Sequence, residues 1–325
     1  TNNMNKLLTV RSLKKYFPVY GGLLSRVVGQ VKAVDDVSFD IDEGEILGLV
    51  GESGCGKTTV GRMSLRLMQP TSGVVNFEKA NIFELSKKEL GKLRPKMQII
   101  FQDPYSSLNP RFTVEQIIGE ALSIHFHING KELRERVKSL MEKVGLSTMY
   151  LNRYAHEFSG GQRQRIGIAR ALALGPRYIV CDEPVSALDV SIQAQIINLL
   201  QSLQQEENLS MLFISHDLNV VKHLSQRTAV MYLGKIVELA STEQIANSSA
   251  HPYTQALLAS KPSLDPKSRI RPQPLSGDVP SPLNPPSGCH FHPRCPKVMD
   301  RCKNEIPRQI QLEKNHQVLC HLYDE

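Results

Sequence analysis

Over the first three quarters of the chain, short apolar runs alternate with longer stretches of helical period. The runs Glu45–Val50, Met97–Phe101, Tyr178–Asp182, Met211–Ser215 and Ala229–Leu233 place Ile, Val or Leu on both faces, as strands buried on both sides of a parallel sheet require. Between Val114 and Tyr154 the period lengthens. Leu133, Val137, Leu140, Met141 and Val144 recur at helical spacing, which predicts an inserted helical subdomain. A further helix is predicted over Ser191–Gln204. Past His251 the texture changes: Pro262, Pro266, Pro272, Pro274, Pro280, Pro282, Pro285 and Pro286 exclude a regular helix or central strand. An extended connector to a cysteine-bearing tail is expected there. No internal repeat of fixed period is present.

With 325 residues, 41% of them apolar, the chain can build one large α/β domain and a smaller appendage. No apolar run approaches the ~18–20 residues of a spanning helix, and Thr1–Arg11 lacks the layout of a secretory signal. A peripheral, cytoplasmic-side protein is therefore expected, with any membrane span supplied by a partner. The formal charge of +7 is spread over the chain, so a solvated surface is expected and nucleic-acid binding is not.

Candidate chemistry starts at Gly51-Glu52-Ser53-Gly54-Cys55-Gly56-Lys57-Thr58, followed by Thr59, between an apolar strand and a helical run. Glycines at this spacing let successive amide N–H groups turn around phosphate oxygens at a helix N-terminus. Lys57 can reach terminal phosphates and Thr58 can ligate Mg²⁺. The strand Tyr178–Asp182 ends in Asp182 and Glu183, a metal-holding carboxylate and a candidate general base. Phe158-Ser159-Gly160-Gly161-Gln162 opens the helical run Arg163–Leu174 and offers a second anion site of backbone amides. Cys55 is read as filling space rather than as a reactive thiol.

In this order the motifs resemble the ATP-binding subunits of ABC transporters. The resemblance implies a P-loop NTPase core of RecA type, α/β in class, with an antiparallel β subdomain. It places the ATP-binding domain at residues 1–245, with its helical subdomain at about 112–175. Phe17, with Tyr16 as the less well-placed alternative, resembles the ring that stacks on adenine. Gly51–Thr58 matches Walker A, and Gln102 the glutamine that touches the metal and reports to the permease. Ser159–Gln162 matches the signature, with Phe158 where Leu is commoner. Asp182 and Glu183 match the Walker B acids, Ser186–Asp189 the loop that crosses the dimer, and His216 the switch histidine at the terminal phosphate. Thr58, Gln102 and Asp182 are the implied Mg²⁺ ligands; Glu183, His216 and Gln102 the implied catalytic set. Two such subunits sandwich two ATPs, each phosphate loop facing the other subunit's signature.

His251-Pro252-Tyr253-Thr254-Gln255-Ala256-Leu257-Leu258 and the proline-rich, cysteine-bearing segment after it resemble the C-terminal extension of dipeptide and oligopeptide importer ATPases, as does the extended stretch Phe17–Lys32. The extension is set at residues 246–325. This implies a related second ATPase subunit, two multi-spanning permease subunits and an extracytoplasmic substrate-binding protein. Nickel and glutathione importers of the same subfamily are the alternative, and a soluble ABC protein a more distant one. Cys289, Cys295, Cys302 and Cys320 lack the close pairs of a structural zinc site. The wider spacing suits a [4Fe–4S] cluster, ahead of zinc or free buried thiols, and the resemblance points the same way. His290, His292, His316 and His321 are expected on the surface or in support of the cysteines.

Overall fold

A computed structural model describes residues 6–21, 26–260 and 277–324. The connector prolines Pro262, Pro266, Pro272 and Pro274 lie outside the described residues. The chain divides into two compact units: Thr1–Leu7, Ile41–Ile46 and Glu78–Ser215 form the first, and Leu8–Asp40, Leu47–Phe77 and His216–Glu325 the second.

In the first unit the strands Met97–Ile100, Tyr178–Asp182 and Ser210–Ser215 run parallel, with Ile100, Cys181 and Phe213 in register. Every residue of the latter two is buried, which explains their unbroken apolarity. The expected helical subdomain consists of Val114–Phe126, Gly130–Lys143 and Gly160–Leu172, packed on one another. A reciprocal Thr113–Gln116 capping box starts the first of these, satisfying two of the amides that a helix start otherwise leaves open. The predicted helix after the acidic strand runs Val190–Glu207 and stops where Asn208 turns left-handed.

The second unit contains an antiparallel sheet in which Lys6–Gly21 lies between Arg26–Asp42 and Ser72–Phe77. Its other sheet starts from Ile46–Val50, parallel to Arg227–Tyr232. The order continues, antiparallel, through Lys235–Ser241, His316–Leu319 and Gln309–Glu313. The last two strands are a hairpin from the tail, an element that the sequence pattern did not predict. Beneath it Ala250, Val318 and Cys320 form a small core with Ile310, Leu312 and Tyr323.

One buried carboxylate joins this hairpin to the sheet. Glu238, on Lys235–Ser241, accepts the Ala250 and His251 amide hydrogens at 2.6 and 3.0 Å and bonds His316 Nε2 at 2.8 Å. A buried charge survives only with such partners. His316 is thus no surface residue, and neither is His321, which is 4% exposed and bonded to the Glu305 carbonyl at 2.9 Å. A histidine in a polar sequence looks exposed; the distant partners that bury these two are invisible in local spacing.

Candidate nucleotide-binding site

The phosphate loop belongs to the second unit. Gly56 caps the helix Lys57–Ser64 at φ 108°, with no side-chain hydrogen bond to the first turn. A Cβ there would lie 2.1 Å from the Ala33 carbonyl oxygen, so only glycine fits. Lys57 is 4% exposed, and its ammonium donates to the Gly51 and Glu52 carbonyls at 2.8 and 3.0 Å. Cys55 is 3% exposed and burial raises its thiol pKa. It fills space as expected, and a protonated thiol is a poor nucleophile. The Cys55 carbonyl accepts the Gly234 amide hydrogen at 3.0 Å, and the Gly234 carbonyl accepts that of Asp35 at 2.8 Å, so the loop rests on the turn between two strands.

Glu52, at a position the glycine-rich pattern leaves unspecified, is held at both its backbone and its side chain. Its amide donates to Tyr253 Oη at 3.0 Å, and its carboxylate receives both terminal nitrogens of Arg294 at 2.7 and 3.1 Å. Sequence reasoning missed Arg294 and Tyr253, since 242 residues separate Arg294 from its partner. Of the two candidate adenine rings, Tyr16 donates its hydroxyl to Asp35, and burial together with that bond pushes its pKa up to about 12. Phe17 is half-buried, with the Lys15 ammonium 5.1 Å from its ring centre. His216 is exposed directly after the strand Ser210–Ser215.

The acids, Gln102 and the signature belong to the first unit. Asp182 is 3% exposed at the end of its strand. Glu183 follows in the left-handed region at φ 46°, its amide bonded to the Ile214 carbonyl at 3.1 Å. A non-glycine residue held there stores strain that the neighbouring strand overcomes. Gln102 Nε2 donates to Glu183 Oε2 at 3.1 Å, bringing two of the sequence-predicted catalytic residues together. The short helix Pro104–Ser107 after Gln102 is fastened to the signature helix by Arg163 stacked 4.0 Å from the Tyr105 ring centre and by Arg170 donating to the Ser107 carbonyl at 2.7 Å.

Ser159 is the N-cap of Gly160–Leu172. Its hydroxyl accepts the Gln162 amide hydrogen at 3.4 Å, and the Gln162 side chain accepts that of Ser159 at 3.1 Å. Phe158 is buried, edge-on to Tyr150, so the unusual residue serves the core beneath the turn. A Cβ on Gly160 would lie 3.3 Å from the Leu188 side chain of the loop that ends at Asp189, which caps Val190–Glu207 through its backbone.

In the tail all four cysteines are free, Cys302 and Cys320 buried. Burial and then the thiols of Cys320, Cys302 and Cys295 push the Cys289 pKa up to about 11, so the four share one neighbourhood. Yet among the described residues no three His, Cys, Asp or Glu side chains form a group that could hold a metal ion. The described residues thus give no support to the expected zinc or iron–sulfur site. His290 and His292 bond the Leu233 and Cys289 carbonyls through Nδ1 at 3.1 and 3.0 Å.

Comparison with known proteins gives the family and the fold. A family model for ABC transporters matches residues 34–186, and one for the oligopeptide/dipeptide transporter C-terminal region matches residues 237–302. A solved dimer of the ATP-binding cassette MJ0796, in a post-hydrolysis state bound to ADP and Pi, superposes with a TM-score of 0.65 at 28% identity, covering 72% of this chain and 98% of that one. The cbiO1 protein of Clostridium perfringens, part of the ABC transporter complex cbiONQ, gives 0.63 at 25% identity over 74% and 90%. The fold and motifs define an ABC ATPase cassette. The chain is also 52% identical over 324 residues to the oligopeptide transport ATP-binding protein AppF of Bacillus subtilis (strain 168), covering 99% of this chain and 98% of that protein. It belongs to the ATP-binding subunits of the oligopeptide/dipeptide ABC transporters, ATPases that energise peptide import.

Proposed function

We propose that this chain pairs with a related ATPase subunit on the cytoplasmic face of a permease made of two multi-spanning subunits, and drives uptake of dipeptides or oligopeptides delivered by an extracytoplasmic binding protein. Among the described residues no helix is long and apolar enough to cross a membrane, which is compatible with spans supplied by permease partners. Exposed Ile124 and Phe126, on a helix that also lines an open groove of about 490 Å³ with Gln116, Glu120 and Leu133, supply a partner-facing surface. The extension-type match and the full-length identity favour peptides over nickel or glutathione as cargo.

In this reading Phe17 stacks on adenine, because the hydroxyl of Tyr16 is committed to Asp35. Amides of the loop Gly51–Thr59, apart from that of Glu52, which Tyr253 holds, and the Lys57 ammonium neutralise the phosphates. Thr58, Gln102 and Asp182 hold Mg²⁺, whose chemistry is to spread charge off the terminal phosphate. Glu183 takes the proton of the attacking water, and His216 contacts the terminal phosphate. Ser159, Gly160, Gly161 and Gln162 bind the ATP of the partner subunit, with Asp189 beside that interface. Bound triphosphate favours the closed pair, and its cleavage removes that preference, which is how a ligand shifts a two-state equilibrium.

The observation that carries hydrolysis is Glu183 itself: strained backbone, and a carboxylate held by Gln102. Glu183→Gln is expected to keep MgATP binding and lower turnover of the assembled transporter by about a thousandfold. Unchanged turnover removes Glu183 from the role of base.

The four tail cysteines are proposed as ligands of a [4Fe–4S] cluster acting as a staple. Support comes from their free thiols, their mutual electrostatic influence and the small core around Cys320. Iron and acid-labile sulfide in anaerobically purified protein test it; their absence rejects it.

A further inference from the structure

The extension does more in this fold than follow the cassette. Between Cys289 and Cys295 the chain makes a tight turn, His292–Arg294, and sends the Arg294 side chain, 4% exposed, to the phosphate loop. There it meets the Glu52 carboxylate with both terminal nitrogens, at 2.7 and 3.1 Å. A two-pronged contact fixes the plane of the carboxylate as well as its position. Arg294 also lies 3.5 Å from Tyr232 Oη and 5.9 Å from that ring's centre.

Aromatic packing holds the arm in place. Phe291 stands edge-on to Tyr232 at 5.2 Å and tilted against Tyr253 at 5.4 Å, and the two tyrosine rings are 4.6 Å apart. Tyr253 in turn accepts the Glu52 amide hydrogen. The second residue of the loop is therefore gripped at its backbone by one part of the extension and at its side chain by another. Its own carbonyl is one of the two that the Lys57 ammonium bonds, so the position of Glu52 and that of the phosphate-binding lysine are mechanically linked.

We infer that Arg294 is a positioning residue of the ATP site: through Glu52 it sets the shape of the phosphate loop, which makes the C-terminal extension a working part of nucleotide binding. The inference rests on the reading of Gly51–Thr58 as the ATP loop and extends it to a residue that no nucleotide motif contains. A preorganised cradle binds more tightly than one that must be ordered on binding. Loss of the brace therefore appears in the ATP concentration required and only weakly in the saturated rate.

The test uses the full chain for MgATP affinity and the assembled transporter for ATPase kinetics. Arg294→Gln and Glu52→Gln are each expected to weaken MgATP binding about tenfold. For Arg294→Gln the KM for ATP rises in step while kcat changes by less than about twofold. The double variant is no weaker than either single one, because both remove the same contact. Arg294→Lys recovers part of the loss, since it restores the charge without the fork. Wild-type affinity in Arg294→Gln or in Glu52→Gln overturns the inference, as does a double variant weakened by the product of the two singles. Should Arg294→Gln fail to fold, Glu52→Gln and Arg294→Lys decide alone. A wild-type chain that binds no MgATP, or a Lys57→Ala chain that binds it normally, sinks the ATP-loop reading instead, so the two failures are distinguishable.

Discussion

Two glycine-rich turns open helices in this molecule, and they are built on opposite plans. The phosphate loop ends in Gly56, left-handed and without a side-chain cap, so that backbone alone shapes the start of Lys57–Ser64. Distant residues, Arg294 and Tyr253, hold it from outside. The signature turn is self-contained: Ser159 and Gln162 satisfy each other's amides in a closed capping box. A turn shaped from outside needs no side-chain cap at its helix start, the end of a helix that attracts anions. One that has met its own needs gives up hydrogen bonds before it accepts a phosphate, which suits the contact with a partner's nucleotide proposed for it.

The sharpest way to break this comparison is to add one methyl group to each turn. Gly56→Ala puts a Cβ 2.1 Å from the Ala33 carbonyl at φ 108°, and neither obstacle is a movable side chain. Strain of about 1–3 kcal/mol added to that clash lowers MgATP affinity by about a hundredfold or more. Gly160→Ala meets the Leu188 side chain at 3.3 Å and the Tyr105 hydroxyl at 3.8 Å, both ends of movable side chains, and alanine is a good helix former. Its fold and its MgATP affinity are expected to stay within about threefold of wild type. Nucleotide titration of the two variants decides, and equal effects erase the distinction.

How far each turn could be read in the sequence follows the same division. The elements that carry Gly51–Thr58, Asp182–Glu183 and Ser159–Gln162 were legible, a helix start, a strand end and a second helix start, because glycine spacing and strand apolarity are local properties. The parallel strands were legible too: burial on both faces leaves no room for alternation, as Tyr178–Asp182 shows. The Arg294–Glu52 and Glu238–His316 pairs were not. An arginine or histidine in a polar stretch carries no mark of burial until its partner arrives from another element. The tail hairpin was hidden for a similar reason, since the proline-rich stretch ahead of it dominates the local pattern. The cysteine spacing was informative about proximity and silent on whether a group arranged for a metal ion forms.

Acid provides a second contrast between the turns. His251, 1% exposed, accepts the Tyr253 amide hydrogen on Nδ1 at 3.0 Å, and burial pushes its pKa down to about 3. The unfolded chain takes up this proton near the ordinary value of about 6.5. The neutral ring's contribution is thus intact above that pH and drains away as pH falls toward 3, reaching a loss of about 2 kcal/mol at pH 5. Because His251 starts the helix whose Tyr253 braces Glu52, the loss falls on the phosphate-loop side. Ser159 and Gln162 carry no such proton. His251→Asn, which can still cap the helix, is expected to abolish about 2 kcal/mol of the stability lost between pH 7.5 and 5, measured by denaturant unfolding at both values. Unchanged acid sensitivity in this variant rules the histidine out as the cause.

The smallest effect on stability tests the self-contained turn directly. Ser159→Ala removes the hydroxyl that accepts the Gln162 amide hydrogen, and loss of such a cap costs about 1 kcal/mol. If the turn serves the partner's nucleotide, MgATP affinity of the isolated chain stays at the wild-type value. Turnover of the assembled transporter then falls by about ten- to a hundredfold, since an amide-and-hydroxyl cradle acts on charge in the closed pair alone. A variant that loses affinity as an isolated chain places Ser159 in the chain's own ATP site, and the two turns then share one task after all. A variant that keeps both affinity and assembled turnover reduces the hydroxyl to a helix cap. The split between isolated binding and assembled rate is thus what separates a receptor turn from a partner turn, even where both are built from a serine or a glycine at the start of a helix.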